Sequence, residues 1–171
     1  MKIDKRRTFL YLRGEPGVGK ITVARIIQKT LSWKLFWFHE LKNIIFDIVE
    51  EHRIPKLMDQ VTLPVIKFLL AQNQNIIYVR PSPDPKTINI ARRAVEKFPN
   101  YRFLVVTLAA PYETLAKRVS RRNENYRISN RTDLDKYLKD KPSVNYRGEI
   151  VIETDGLSPK QVAEKVLKTV S

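Results

Sequence analysis

The segment Gly14-Glu15-Pro16-Gly17-Val18-Gly19-Lys20-Ile21-Thr22 limits what this chain can fold into more than any other part of it. It fits the spacing G-x-x-x-x-G-K, and it lies between a short apolar run (Thr8–Arg13) and an amphipathic one (Ile21–Leu31), read as strand and helix. Glycines permit a backbone turn that aims successive N–H groups inward as an anion nest, to which the following helix adds its positive end. Lys20 brings a point charge to the same place. Gly14, Gly17, Val18, Gly19, Lys20, Ile21 and Thr22 are therefore the candidate phosphate-binding residues. The chain has five glycines and three fall in this loop, which makes chance clustering a weak explanation.

The rest of the pattern alternates strand with helix. Leu35–Phe38, Asn75–Arg80, Arg102–Leu108 and Glu149–Thr154 read as four further strands. In Ile21–Leu31 the apolar stripe is Val23, Ile27 and Leu31. Leu41, Ile44, Ile45, Ile48 and Val49 predict a second helix. Asp59–Ala71 reads as helical with a kink or break at Pro64. Pro85 and Pro111 each open a helix, and Ser158-Pro159-Lys160-Gln161 has the form of a capping box starting the last one. Five apolar strands separated by helices predict a parallel sheet covered on both faces, an α/β fold of three layers. Ligands in such folds sit at the carboxyl ends of the strands, so the loops after Arg13, Phe38, Arg80, Leu108 and Thr154 are the ones to watch.

Composition excludes several alternatives. With no cysteine, disulfides and thiolate metal sites are ruled out, and two lone histidines argue against a histidine-built metal centre. No apolar run reaches the length of a membrane span, and Thr8–Leu12 is too short for a signal-peptide core, so a cytoplasmic setting without membrane association is expected. The net charge of +14 draws anions: nucleotides, phosphorylated metabolites or nucleic acid. A lysine-rich surface that merely aids solubility accounts for the same charge equally well.

The pattern G-x-P-G-x-G-K-x-T in the loop resembles adenylate kinases, although Ile21 stands where those carry glycine and other P-loops carry a hydroxyl that holds Mg²⁺. More broadly the chain resembles the small P-loop kinases: nucleoside monophosphate kinases, shikimate and gluconate kinases, and chloramphenicol phosphotransferase. Besides the loop, Phe103–Arg122 is similar to their fourth strand and the helix ending R-x-x-x-R, here Arg118 and Arg122, and Ile152–Leu157 to the last strand and the turn near the adenine. The resemblance implies one kinase-like domain over 1–171, ATP and Mg²⁺ as cofactors, and Thr22 as the nearest metal-binding hydroxyl. It also implies that Arg118 lies beside the nucleotide. An arginine-rich lid matches about 121–131, where Arg121, Arg122, Arg127 and Arg131 stand against Glu124 alone. Guanidinium donors there would stabilise a phosphoryl group in flight, which makes Lys20, Arg122 and Arg127 the catalytic candidates.

On the acceptor side the usual strand-end aspartate is missing. The second strand ends Phe38-His39-Glu40 and the third Val79-Arg80-Pro81-Ser82-Pro83-Asp84. Glu40 is the candidate proton acceptor, and His39, Arg80 and Asp84 are candidate substrate contacts, Arg80 suiting an anionic acceptor. Three functions stay open on these residues: an ATP-dependent kinase of a small-molecule or nucleotide acceptor, a kinase of polynucleotide ends favoured by Lys2, Lys5, Arg6 and Arg7, and a non-enzymatic nucleotide-binding regulator favoured by Ile21 and the missing aspartate.

Overall fold

The computed structural model describes residues 6–41, 54–80, 84–122, 128–141 and 144–170. Its strands are β1 (Arg7–Gly14), β2 (Lys34–Trp37), β3 (Ile76–Val79), β4 (Tyr101–Ala109) and β5 (Ile150–Glu153). They form one sheet in the order β2-β3-β1-β4-β5, and every adjacent pair is parallel. The helices are α1 (Lys20–Leu31), α2 (Ile54–Ala71), α3 (Pro85–Val95), α4 (Tyr112–Val119), α5 (Arg131–Asp140) and α6 (Pro159–Val170). The expected three-layer fold with five parallel strands is the one observed.

Central position explains the composition of β1, buried along Thr8–Arg13 because helices cover both of its faces. Alternate residues feed two separate cores. Leu10 and Leu12 join Ile77, Val79, Val106 and Leu108 beneath α1 and α6, which pack on each other. Phe9 and Tyr11 join Ile76, Tyr78 and Val105 beneath α2 and α3. The second core is rich in aromatics: Tyr78 packs on Phe9, Tyr11 and Phe36 with ring centroids 5.2–5.7 Å apart.

Three expectations change. Helix α2 begins at Ile54 and continues through Pro64, so the proline neither ends nor divides it. The loss of one backbone donor is outweighed by the anchoring of Ile66 and Leu70, both buried in the aromatic core. In α1 the buried residues are Val23, Ala24 and Ile27, whereas Leu31 lies exposed at the point where Ser32 turns the chain with φ 55°. An unexpected helix, α5, starts where the expected lid ends: Asn130 caps it, accepting the Asp133 N–H at 2.9 Å, and Arg131 is its first residue. The helix expected around Leu41–Val49 falls mostly in 42–53, outside the described residues.

The capping box at α6 is present in both directions. Ser158 Oγ accepts the Gln161 N–H at 3.3 Å, and Gln161 Oε1 accepts the Ser158 N–H at 2.9 Å. Ser158→Ala is expected to destabilise the fold by about 1 kcal/mol, which thermal melting would read as a loss of roughly 2–4 °C. An unchanged midpoint would mean the helix start is held by packing alone.

Candidate nucleotide site

The loop from Gly14 to Gly19 crosses the carboxyl ends of β1 and β4. Its three glycines have φ of +140°, +89° and +97°, a region that side chains other than glycine's rarely allow. At two of them space is as restrictive as φ. A Cβ on Gly14 would stand 2.3 Å from the Leu108 carbonyl oxygen, and one on Gly17 would stand 3.0 Å from the Leu115 carbonyl oxygen and from Val119 Cγ2. The loop is therefore pressed onto β4 and α4. Val18, buried, wedges its Cγ1 against Gly14. Gly19 caps α1 without any side-chain hydrogen bond, and no acid lies in that helix's first turn. The positive helix end and its N–H groups are open to an anion, with no first-turn carboxylate in competition.

Lys20 Nζ donates to the carbonyls of Gly14 at 2.8 Å and Glu15 at 2.9 Å, so the ammonium lies under the loop. Burial, aided by the charge of Arg122 and opposed by that of Glu15, lowers its pKa to about 7. Arg122, whose charge acts on Lys20, donates to the Ile128 carbonyl at 3.3 Å. Burial also pushes the Glu15 carboxyl up, against the pull of Lys20 and Arg13. The Tyr137 hydroxyl on α5 is pushed up by burial and then by Glu15, while Arg13 opposes. Charge thus links Lys20 to Arg122 and Glu15, and Glu15 to Tyr137 on α5.

The other expected residues are placed as follows. Arg118 donates from both terminal nitrogens to Thr154, to Oγ1 at 2.9 Å and to the carbonyl at 3.0 Å, tying α4 to the turn after β5. Ile21 is half-buried and Thr22 exposed on the first turn of α1. Residues 38–41 are helical; His39 is half-buried with its ring 6.0 Å from that of Trp37, and Glu40 is exposed. Asp84 accepts the Lys86 N–H at 2.8 Å as the cap of α3. Arg80 continues β3 and stacks on Phe38. Arg127, Lys2 and Lys5 lie outside the described residues.

Sequence reasoning missed a buried ion pair directly before the loop. Arg13 and Glu149, with side chains 2% and 6% exposed, meet at 3.4 Å. Arg13 also donates to the Val144 carbonyl at 2.9 Å, and Glu149 accepts the Thr107 hydroxyl and, at 2.8 Å, the Tyr146 N–H. Tyr146 in turn bonds Asn89 and Arg92 of α3, both at 2.8 Å. A charged residue ending a strand buried on both faces was the available signal, since such a charge needs a partner.

The donor set fits a polyphosphate: an open nest, a helix end and two cations. For magnesium, Thr22 offers a hydroxyl near the nest, and among the described residues no cluster of three or more His, Cys, Asp or Glu is arranged to hold a metal ion. Nor is any described helix long and apolar enough to cross a membrane.

No protein-family profile and no curated protein matches the chain. Solved structures do. It is similar to the tunicamycin resistance protein of Deinococcus radiodurans (TM-score 0.66, 18% identity, 97% of this chain and 96% of that one). It is also similar to a sugar kinase from Janibacter sp. HTCC2649 (0.68, 18%, 96% and 94%) and to shikimate kinase from Acinetobacter baumannii (0.58, 18%, 98% and 94%). At such identities the likeness is one of fold, and the fold is that of the small P-loop kinases.

Proposed function

We propose that the chain is an ATP-dependent phosphotransferase that moves the γ-phosphoryl group to a hydroxyl-bearing small-molecule or nucleotide acceptor. The observation that supports this reading is Lys20 lying under the glycine nest, with the charge of Arg122 acting on it. A binding loop alone needs the lysine; a second cation from the turn after α4 adds donors where charge develops during transfer. In the proposed step the acceptor oxygen bonds to the γ-phosphorus, the bond to the bridging oxygen breaks, and ADP leaves. The acceptor's proton passes to a base, for which Glu40 in the helical residues after β2 is proposed, with His39 and Asp84 as substrate contacts. Magnesium on the phosphates would neutralise part of their charge, and Thr22 is the residue proposed to reach it. Arg118 is proposed to border the nucleoside and Arg127 to join Arg122 over the phosphates.

A second reading, nucleotide binding without transfer, is favoured by Ile21 in place of a hydroxyl. Radiolabelled ATP with a panel of sugars, hydroxy acids and nucleoside monophosphates separates the two. Transfer to at least one acceptor is expected, and Arg122→Ala should lower turnover about tenfold or more while changing nucleotide affinity less than threefold. Binding without transfer across the panel would leave the second reading standing.

A further inference from the structure

The two ends of the sheet differ in charge. At the amino end Arg7 opens β1 and Lys34 opens β2, with Arg6 just before the first of them. Helices α1 and α6 finish at the same end. Ser32 and Trp33 join α1 to β2, and Arg102, near the start of β4, donates to the carbonyl of Val170, the last residue of α6. Lys29 and Lys168 stand in those last turns, and Lys97 between α3 and β4. These six cations are exposed, and among the described residues Glu96 is the acid that stands with them. The carboxyl end is mixed, since Glu15, Glu40, Asp84, Glu113 and Asp155 there offset Lys20, Arg80, Arg118 and Arg122. A cation in a helix's last turn is ordinary, because the dipole favours it. Arg7 and Lys34 open strands, whose dipoles are small, and need another reason.

The same end carries a cleft of about 490 Å³, lined by Arg6, Arg7, Asn73 and Asn100. Its size is that of a ligand site. Its parts are tied together: the Arg7 N–H donates to the Asn100 carbonyl at 2.7 Å, and Asn100 Nδ2 donates to Asn73 Oδ1 at 2.9 Å. That bond uses the Asn73 oxygen, so the Asn73 amide nitrogen remains a donor beside the two arginines. Arginine, lysine and asparagine are common donors to phosphate oxygens. One small anion would match two of the cations and leave the rest of this end unmatched, whereas a chain of phosphates matches them in series. The cleft is remote from the glycine loop. From Arg7 to Gly14 β1 takes seven steps of about 3.3 Å, roughly 23 Å in all. A polynucleotide end held by Arg6 and Arg7 would therefore not meet the phosphates of a bound nucleotide.

We propose that the amino end of the sheet is a second, non-catalytic site that binds the phosphate backbone of a nucleic acid chain, seated in the Arg6–Arg7 cleft and continued toward Lys34 and Lys97. Binding there is electrostatic and indifferent to base sequence. The site holds the protein on a polyanion while nucleotide comes and goes at the opposite end. It stands independently of the phosphotransferase reading.

The test is fluorescence anisotropy of a labelled single-stranded oligonucleotide titrated with the full chain at several salt concentrations. Binding at low salt is expected, weakening roughly twentyfold between about 50 and 200 mM with about three phosphates neutralised. Oligonucleotides of equal length and different sequence should bind within about threefold of one another. Arg6→Gln together with Arg7→Gln should weaken binding about tenfold and flatten the salt slope by about 1–2, and Lys34→Gln alone should weaken it about threefold. Lys117→Gln together with Lys139→Gln removes the same charge from α4 and α5 and should cost less than about threefold. All these side chains are exposed, so melting temperatures should stay within about 2 °C. A non-hydrolysable ATP analogue should alter oligonucleotide affinity less than about twofold, as expected of distant sites. No binding at low salt, equal losses from the two paired variants, or displacement by the analogue overturns the proposal. Retention on phosphatidylserine vesicles without oligonucleotide binding also overturns it, assigning this end to a membrane surface. Displacement by inorganic phosphate beyond its effect as a salt overturns it too, assigning the cleft to a small anion.

Discussion

Replacing Glu149 by alanine is expected to destabilise the protein by about 3–5 kcal/mol, the usual cost of stranding one member of a buried ion pair. The carboxylate accepts from Arg13, Thr107 and the Tyr146 backbone, and with it gone Arg13 remains 2% exposed with no counter-charge. Arg13 Nε is already buried without a partner, which leaves the guanidinium little room to compensate. For a chain of this size the loss corresponds to a melting temperature lower by roughly 6–20 °C. Adding Arg13→Met should recover much of it, because removing the stranded cation removes the penalty, and the double-mutant cycle should show strong coupling. Additive effects of the two substitutions, or a melting temperature untouched by Glu149→Ala, would show that the pair is not a structural unit. Arg13 adjoins Gly14, so partial loss of nucleotide affinity should accompany the loss of stability.

Lys20→Ala should weaken triphosphate binding at least tenfold, roughly 1.4 kcal/mol or more, with little change in the buried core. The pH dependence is more diagnostic than the magnitude. In the free protein burial and Arg122 hold Lys20 near 7, whereas phosphate oxygens favour its charged form. Binding then takes up a proton above pH 7. Affinity should fall by up to about tenfold per pH unit there, until the pKa of the complex is reached. Stability shifts in the opposite direction. The unfolded lysine keeps its proton up to its ordinary value of 10.5 while the folded one loses it at about 7, so between these limits the unfolded state holds more protons and stability rises with pH. Below 7 the cost of burying the ammonium is fully present. Titrations at several pH values in buffers of different ionisation enthalpy would measure the proton uptake. A flat profile for the unsubstituted protein, or one that persists in Lys20→Ala, would assign the effect to another group.

The parts of this molecule legible in the sequence are those decided within a few residues. The glycine loop is one: φ and spacing dictate residue type locally, and the strand before and helix after confirm its context. The Ser158–Gln161 box is another, three residues across. The strands were legible because burial on both faces requires runs of apolar residues, as in Phe9–Leu12. Arg13 and Glu149 were not, because each finds its partner through the sheet at a separation of 136 residues. Helix α5 escaped for a different reason: Leu134 is its one fully buried residue, too little to give an apolar stripe. At Pro64 local chemistry argued for a break, and the packing of Ile66 and Leu70 prevailed.

The strand order also bears on when a growing chain can first hold a ligand. The glycine loop is made early, but β1 pairs with β3 and β4, not with β2, and the surfaces that fix the loop are Leu108, Leu115 and Val119. These emerge about a hundred residues later, which at the usual pace of synthesis is roughly 5–20 s. Until then the nascent loop has no floor, and β1, flanked by β3 once residues 76–79 have emerged, keeps one edge open along Phe9–Leu12. Nucleotide cannot assist the folding of the first half, and the interval before β4 arrives is when the chain is most exposed to aggregation or to capture by a chaperone.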